Sequence, residues 1–420
     1  MIAKRNKSES ALDDIRVLDL TDEKGLLCGK ILADLGAHVI KVEKPGGDTA
    51  RTIGPFYHDT PDCKKSLFWF AYNTNKRSIT LDIEKVQGRE LLKRLDERAD
   101  ILLESFAPGY LDKLGLGYSA LSKLNPRLIV TSITPFGQDG LYRDWKGHDM
   151  VVWALSGLMN LTGNPDRPPV QVSIPQSFIA ASTYAAEATM VALYARDLHG
   201  AGQHVDVSAM ETLAFVASEA FPFWFTLGEN KRRTGDKLSR SAGAEPRQIW
   251  RCKDGYVSYL IQVGLPGAER NTKMAQWLEE EGLATEFIRN TDWYQLDWVD
   301  LVKGGIGRLI EPVEKLFSLC TVKELLDQGL EREITIYPIA SSKDTLESEQ
   351  LAYRKFWVRL EHPELGEKIT YPGPFAVLSE TPIQMQRRAP LIGEHNEEVY
   401  VRELGLSSEE MIALAEAKVI

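Results

Sequence analysis

Arg16-Val-Leu-Asp-Leu-Thr-Asp-Glu-Lys-Gly-Leu-Leu-Cys-Gly-Lys-Ile-Leu-Ala-Asp-Leu-Gly-Ala-His-Val-Ile-Lys-Val-Glu43 changes its hydrophobic period twice within 28 residues. Arg16–Leu20 has the length and apolar content of a short buried strand. Ile31, Leu32 and Leu35 then recur at helical spacing within Cys28–Leu35, and Gly36 stops the helix. His38–Glu43 is a second strand, closed by the turn Pro45-Gly46-Gly47-Asp48. Strand, helix, strand with short links is the unit from which parallel sheets are built.

The alternation continues outward. Ser78–Ile83 alternates as a strand, and Val86–Arg98 carries Leu91, Leu92 and Leu95 on one helical face. Ile101–Leu103 and Leu128–Ile133 are near-continuous apolar runs, as expected of strands buried on both faces. The pattern predicts a doubly wound α/β domain. Thr21-Asp-Glu-Lys-Gly25 after the first strand lacks the glycine fingerprint of a nicotinamide or flavin site, which argues against a dinucleotide oxidoreductase.

Further on, Ser177–Leu198 reads as a long Ala-rich helix closed by Gly200 and Gly202, and Asp206–Phe225 as a second helix. Glu229–Arg240 is a charged linker. Ile249–Tyr259 is a hairpin around Asp254-Gly255, and helical segments run to about Leu330. Ser407–Ala417 is an amphipathic tail that should dock back on the large domain. The expected division is a large Rossmann-like domain over 1–225, a linker and smaller α/β domain over 226–345, and a return to the large domain over 346–420.

Composition narrows the function. The 420 residues carry a net charge of −10 with 26% charged side chains, opposite to the basic face a nucleic-acid binder needs. Cys28, Cys63, Cys252 and Cys320 are scattered without paired histidines, so neither a metal site nor a disulfide framework is expected. The first ten residues are polar and no run approaches a membrane span, which places the protein in the cytoplasm as an expectation.

An ordered set of short runs resembles the class III CoA-transferases and the α-methylacyl-CoA racemases that share their fold. Arg16-Val-Leu-Asp-Leu-Thr21 and Leu32-Ala-Asp-Leu-Gly-Ala-His-Val-Ile-Lys-Val-Glu43 open it. Asn75-Lys-Arg-Ser-Ile-Thr-Leu-Asp82, Asp100-Ile-Leu-Leu-Glu-Ser-Phe106, Leu114-Gly-Leu-Gly-Tyr118 and Asn125-Pro-Arg-Leu-Ile129 follow. Pro135-Phe-Gly-Gln-Asp-Gly140, Gly202-Gln-His-Val-Asp-Val-Ser208 and Ala389-Pro-Leu-Ile-Gly-Glu-His395 complete it. The resemblance implies an interlocked dimer, each chain threaded through its partner, with acyl-CoA held at a domain interface. It also implies coenzyme A or acyl-CoA as substrate rather than a bound cofactor.

Carried over by position, Lys44, Leu81, Asp82, Ser105, Phe106, Lys113 and Lys146 would form the CoA cradle. Lys44 and Lys146 offer point charges for phosphate, and Phe106 offers a ring for adenine. Two positions depart: the family usually has Lys or Arg where Glu84 stands, and Asn where Ser105 stands.

The largest departure concerns the aspartate that attacks the thioester in this family. Counting back from Tyr184-Ala-Ala186 places that position at Phe178. In the racemase relatives the paired His and Asp stand 30 residues apart, and position 178 lies 30 beyond His148. A phenyl ring cannot form the anhydride, and the nearest acids, Asp166 and Glu187, fall well away in sequence. The oxyanion loop Asp22–Leu27 is one residue shorter than the family's, and acidic at its start. His148 reads as a packed structural histidine, and Ser241–Ala244, where some relatives carry a glycine-rich loop, as linker.

The resemblance therefore implies a nucleophile-lacking subunit of a heteromeric CoA-transferase, paired with a homologous Asp-bearing chain as heterodimer or heterotetramer. CoA would move from an acyl-CoA such as succinyl-CoA to a carboxylic acid, with (R)-benzylsuccinate of anaerobic toluene degradation as one candidate. The alternatives are a self-sufficient homodimeric transferase using an unusual acid, and an acyl-CoA-binding regulatory protein.

Overall fold

The computed structural model describes residues 10–238, 246–262, 264–295 and 306–420. Ser241–Ala244 lies outside the described residues. The chain falls into two compact units. One comprises residues up to Leu158, Val172–Glu219 and Gln350–Ile420; the other comprises Met159–Gln171 and Ala220–Glu349. Residues 159–171, placed within 1–225 from the sequence, group with the second unit.

The first unit is built on six parallel strands: β1 (Arg16–Asp19), β2 (His38–Glu43), β3 (Arg77–Thr80), β4 (Ile101–Glu104), β5 (Ile129–Thr134) and β6 (His204–Ser208). Their order is β3-β2-β1-β4-β5-β6, so the winding reverses between β1 and β4. A crevice opens at the carboxyl ends of the strands at such a reversal, and α/β proteins place ligands there. The central strands are buried throughout, as the apolar runs require. Ile79, Leu92, Leu102, Leu116 and Leu121 belong to one core, to which the tail adds Val419 and Ile420. The helix Ser408–Glu416 packs Met411 and Leu414 on that core, as its amphipathic pattern predicts.

β6 corrects the sequence reading. Asp206–Ser208, expected to open a helix, instead completes the edge strand His204–Ser208, which pairs with β5 from Val130↔His204 to Thr134↔Ser208. The helix starts only at Ala209, where the Ser208 hydroxyl accepts from the Glu211 amide, and it ends at Val216. A second short helix occupies Phe221–Leu227.

Between β1 and β2 the helix Leu26–Asp34 lies close on the sheet. A Cβ at Gly29 would stand 2.2 Å from an Asp19 carboxylate oxygen, so only glycine permits this approach. Beneath it, Lys76 Nζ donates to Asp19 (2.8 Å), to the Leu26 carbonyl (2.8 Å) and to Asn73 (2.9 Å). Asp19 and Lys76 are both buried, and the third bond leaves no ammonium proton unsatisfied.

The second unit carries the three-stranded antiparallel sheet β7 (Ile249–Arg251), β8 (Tyr256–Tyr259) and β9 (Ile336–Pro338). The β7–β8 hairpin turns at Asp254-Gly255, where the Cys252 amide donates to the Gly255 carbonyl. Phe317 packs edge-on to both Trp250 and Tyr259 in its core. Among the described residues, no helix is long and apolar enough to cross a membrane, and no group of three or more potential ligands could hold a metal ion.

Candidate functional site

Leu20 at the end of β1, Glu43 and Lys44 at the end of β2, Leu81 and Ile83 after β3, and Phe106 after β4 converge on one cleft. Its volume is about 210 Å³, and Asp22, Val42, Gly47, Asp48 and Thr49 complete the lining. Every one of these residues follows or ends a strand at the same edge of the sheet, beside the winding reversal.

Of the seven cradle residues expected from the sequence, Lys44, Leu81 and Phe106 line this cleft. Ser105 lies beside it: its hydroxyl donates to Asp22 Oδ1 (2.7 Å) and accepts from the Asp22 amide (2.9 Å). Asp82 serves the backbone, accepting from the Glu84 amide (3.0 Å) while its own amide meets the Val419 carbonyl (2.7 Å). Lys113 ends the short helix Tyr110–Lys113, and Lys146 follows Trp145; both are exposed and outside the cleft lining.

The cleft's own acids are held by basic partners. Glu43 is buried and receives Arg51 bidentately (2.7 and 2.7 Å), with the Ser78 hydroxyl (2.6 Å) and the Asp48 amide (2.8 Å). Arg51 lies over the Trp69 ring at 3.7 Å. Asp48 meets the buried Lys41 ammonium at 3.1 Å. Sequence reading missed this frame, although an Arg eight residues past a strand-end Glu is visible in it.

Phe178 is the second residue of the helix Ser177–His199 and is half-buried. The start of that helix is fixed by Asp149, whose Oδ1 accepts from the Gln176 amide (2.9 Å), the Ser177 amide (2.8 Å) and the Ser177 hydroxyl (2.6 Å). An acid at a helix start satisfies amides that have no partner within the helix. Asp149 was not among the acids weighed from the sequence. Of those that were, Glu187 is exposed two and a half turns along, roughly 13 Å away by helix rise, and Asp166 is exposed in the second unit. His148, expected to be packed, is instead exposed at the N-cap of the helix Asp149–Leu155.

The loop Asp22–Leu27 sits one turn from Phe178, tied there by the Ser182 hydroxyl donating to the Lys24 carbonyl (3.0 Å). Three of its amides, and that of Thr21 just before it, are occupied. Thr21 N donates to Asp19 (3.0 Å), Asp22 N to Ser105 (2.9 Å), Lys24 N to Asp22 Oδ1 (3.1 Å) and Gly25 N to the Asp22 carbonyl (3.0 Å). The Lys24 ammonium pairs with Asp22. An oxyanion needs donors aimed at it, and these point elsewhere. Behind the loop Glu104 is buried, accepting from the Phe106 amide (2.8 Å). Burial pushes its carboxyl up to about 7, with the nearby Asp206 and Asp22 charges adding to the shift and the Ser132 hydroxyl opposing it.

Residues 12–396 match the profile of CoA-transferase family III. The chain is 36% identical to the succinyl-CoA:(R)-benzylsuccinate CoA-transferase subunit BbsE of Thauera aromatica, over 92% of each chain. It is 33% identical to the succinyl-CoA–D-citramalate CoA-transferase of Chloroflexus aurantiacus, over 97% of this chain and 98% of that one. A CAIB/BAIF family protein from Brucella suis superposes with a TM-score of 0.80 at 28% identity, covering 94% of this chain and all of the other. With a parallel sheet in the order β3-β2-β1-β4-β5-β6 and similarity running nearly end to end, the chain belongs to CoA-transferase family III.

Proposed function

We propose that this chain is the subunit without the nucleophile in a heteromeric CoA-transferase. The complex would move CoA from an acyl-CoA such as succinyl-CoA to a carboxylic acid, with (R)-benzylsuccinate the leading candidate from the similarity to BbsE. The observation that carries the reading is Phe178 at the start of the long helix, where the family's attacking aspartate is expected. Loss of a covalent nucleophile costs roughly 10⁶ in rate in the best-studied hydrolase. The occupied amides of Asp22, Lys24 and Gly25 support the same conclusion. A homologous partner bearing the aspartate would then perform the covalent steps.

The test mixes the purified chain with succinyl-CoA and the acceptor acid and follows ester exchange by chromatography. No transfer is expected from the chain alone, and transfer is expected from the complex obtained by co-expressing it with the Asp-bearing partner. Turnover of ~1 s⁻¹ or more by the homogeneous chain, an ordinary enzymatic rate, overturns the proposal.

One observation favours a second reading, a self-sufficient transferase using an unusual acid: the Asp149 carboxylate lies against the first residues of the Phe178 helix. Borohydride or hydroxylamine trapping of the thioester intermediate, with the label found on Asp149, would establish that reading.

A further inference from the structure

The charges around the cleft form pairs. Glu43 is held by Arg51, Asp48 by Lys41 and Asp22 by Lys24. Among the described residues, Lys44 is the single cation in the cleft lining, and it is held by Glu84 at 2.9 Å. Glu84 in turn accepts from the Tyr110 hydroxyl at 3.0 Å, and the Tyr110 ring lies 4.8 Å from that of Phe106. Ring, ring, carboxylate and ammonium thus form a continuous strip along one side of the cleft. Lys44 holds the Glu84 carboxyl below its ordinary range, with Tyr110 adding to the effect.

A phosphate approaching this strip finds its cation already taken. It can displace Glu84 from Lys44, but Tyr110 keeps that carboxylate nearby, facing the incoming charge. With the three acids of the lining, Asp22, Glu43 and Asp48, also in place, the cleft offers no surplus positive charge among the described residues. Resting on the reading of this chain as the subunit without chemistry, we propose that Glu84 is a specificity-determining residue. By occupying Lys44, it weakens this chain's own cleft for the phosphates of coenzyme A, so the coenzyme favours the partner's site. The same cleft keeps its apolar walls, Leu20, Val42, Leu81, Ile83 and Phe106.

Both members of the ion pair are more than half exposed, so the pair contributes little to folding and its substitution should be tolerated. Removing one negative charge about 4 Å from a phosphate changes affinity on the order of tenfold in water. The probe is a photoreactive 8-azidoadenine analogue of coenzyme A, applied to the assembled complex. Peptides containing Phe106 or Tyr110 are then quantified by mass spectrometry, which reads this chain's cleft separately from its partner's.

Half-saturation of labelling is expected to fall about tenfold in Glu84→Gln and further in Glu84→Lys. The gain should vanish in the double variant Lys44→Ala/Glu84→Gln, and should shrink in ~0.5 M salt, where screening acts over a few ångströms. Unchanged or weaker labelling in both single variants overturns the proposal, as does a gain that persists without Lys44. Native mass of the same samples keeps the two ideas apart. A homodimer sinks the heteromer reading, whereas flat labelling within an intact heteromer sinks only the role of Glu84.

Discussion

Phe178 stands where backbone amides converge at a helix start, a place that favours an anion. An aspartate introduced there would be ionised and positioned by the same helix. Fewer donors are left to meet an oxyanion beside it, because the amides of Thr21, Asp22, Lys24 and Gly25 already donate within the protein. Phe178→Asp is therefore expected to recover little transfer, at least 10²-fold below an Asp-bearing homologue. That is the scale of losing a single oxyanion donor. Steady-state transfer assays on the purified variant measure it, and near-full activity would show that the nucleophile alone had been lost. The helix beginning at Ser177 was legible from its Ala-rich run, and the reading of position 178 rests on two counts along the sequence that meet on one residue. The engagement of Ser105 with Asp22 was not legible, since it joins residues 83 apart across the winding reversal. The sequence likewise gave no sign that His148 is exposed, because a Gly-His-Asp run reads the same whether packed or open.

At the level of elements, strands with apolar runs were readable because burial on both faces leaves few alternatives. β6 was not. His204 and Asp206 are exposed and Val205 is half-buried, so the run looks like the polar start of a helix until pairing with β5 is known. The helix Val86–Asp96 ends on a different kind of exception. Asp96 is buried, and neither carboxylate oxygen has a hydrogen-bond partner among the described residues. The helix C-terminus also disfavours a negative charge. Burial first, and then the neighbouring Glu97, push its carboxyl up to about 7. The unfolded chain releases this proton near pH 3.9, while the folded chain keeps it to about 7. Between these values the native state binds the extra proton, so stability falls with rising pH at about 1.4 kcal/mol per unit. Asp96→Asn removes that slope. Relative to wild type, its urea-unfolding stability should rise by roughly 2–3 kcal/mol between pH 5 and 8. Parallel profiles for the two proteins would mean Asp96 is ionised in the native state.

Across the whole molecule, the exposed apolar surface supports a missing neighbour. The helix Phe221–Leu227 buries none of its seven residues, with Trp224 57% and Phe225 84% exposed. Leu141 at 94% and Ile174 at 60% add to it in the first unit. A helix apolar on all faces is ordinarily buried, and patches of this kind mark protein interfaces. Interlocking, which the family resemblance implies, would couple burial of such surface to assembly, because threaded chains cannot part without unfolding. Stability then becomes inseparable from the partner's concentration. Expressed alone, this chain is expected to unfold readily. Co-expressed with an Asp-bearing homologue, it should yield a soluble complex whose native mass contains both chains. Thermal unfolding of that complex should rise with protein concentration, which a self-contained monomer would not show. A well-folded homodimer that ignores the homologue on co-expression would refute the heteromer. It would also leave the Phe221–Leu227 surface to a second copy of this same chain.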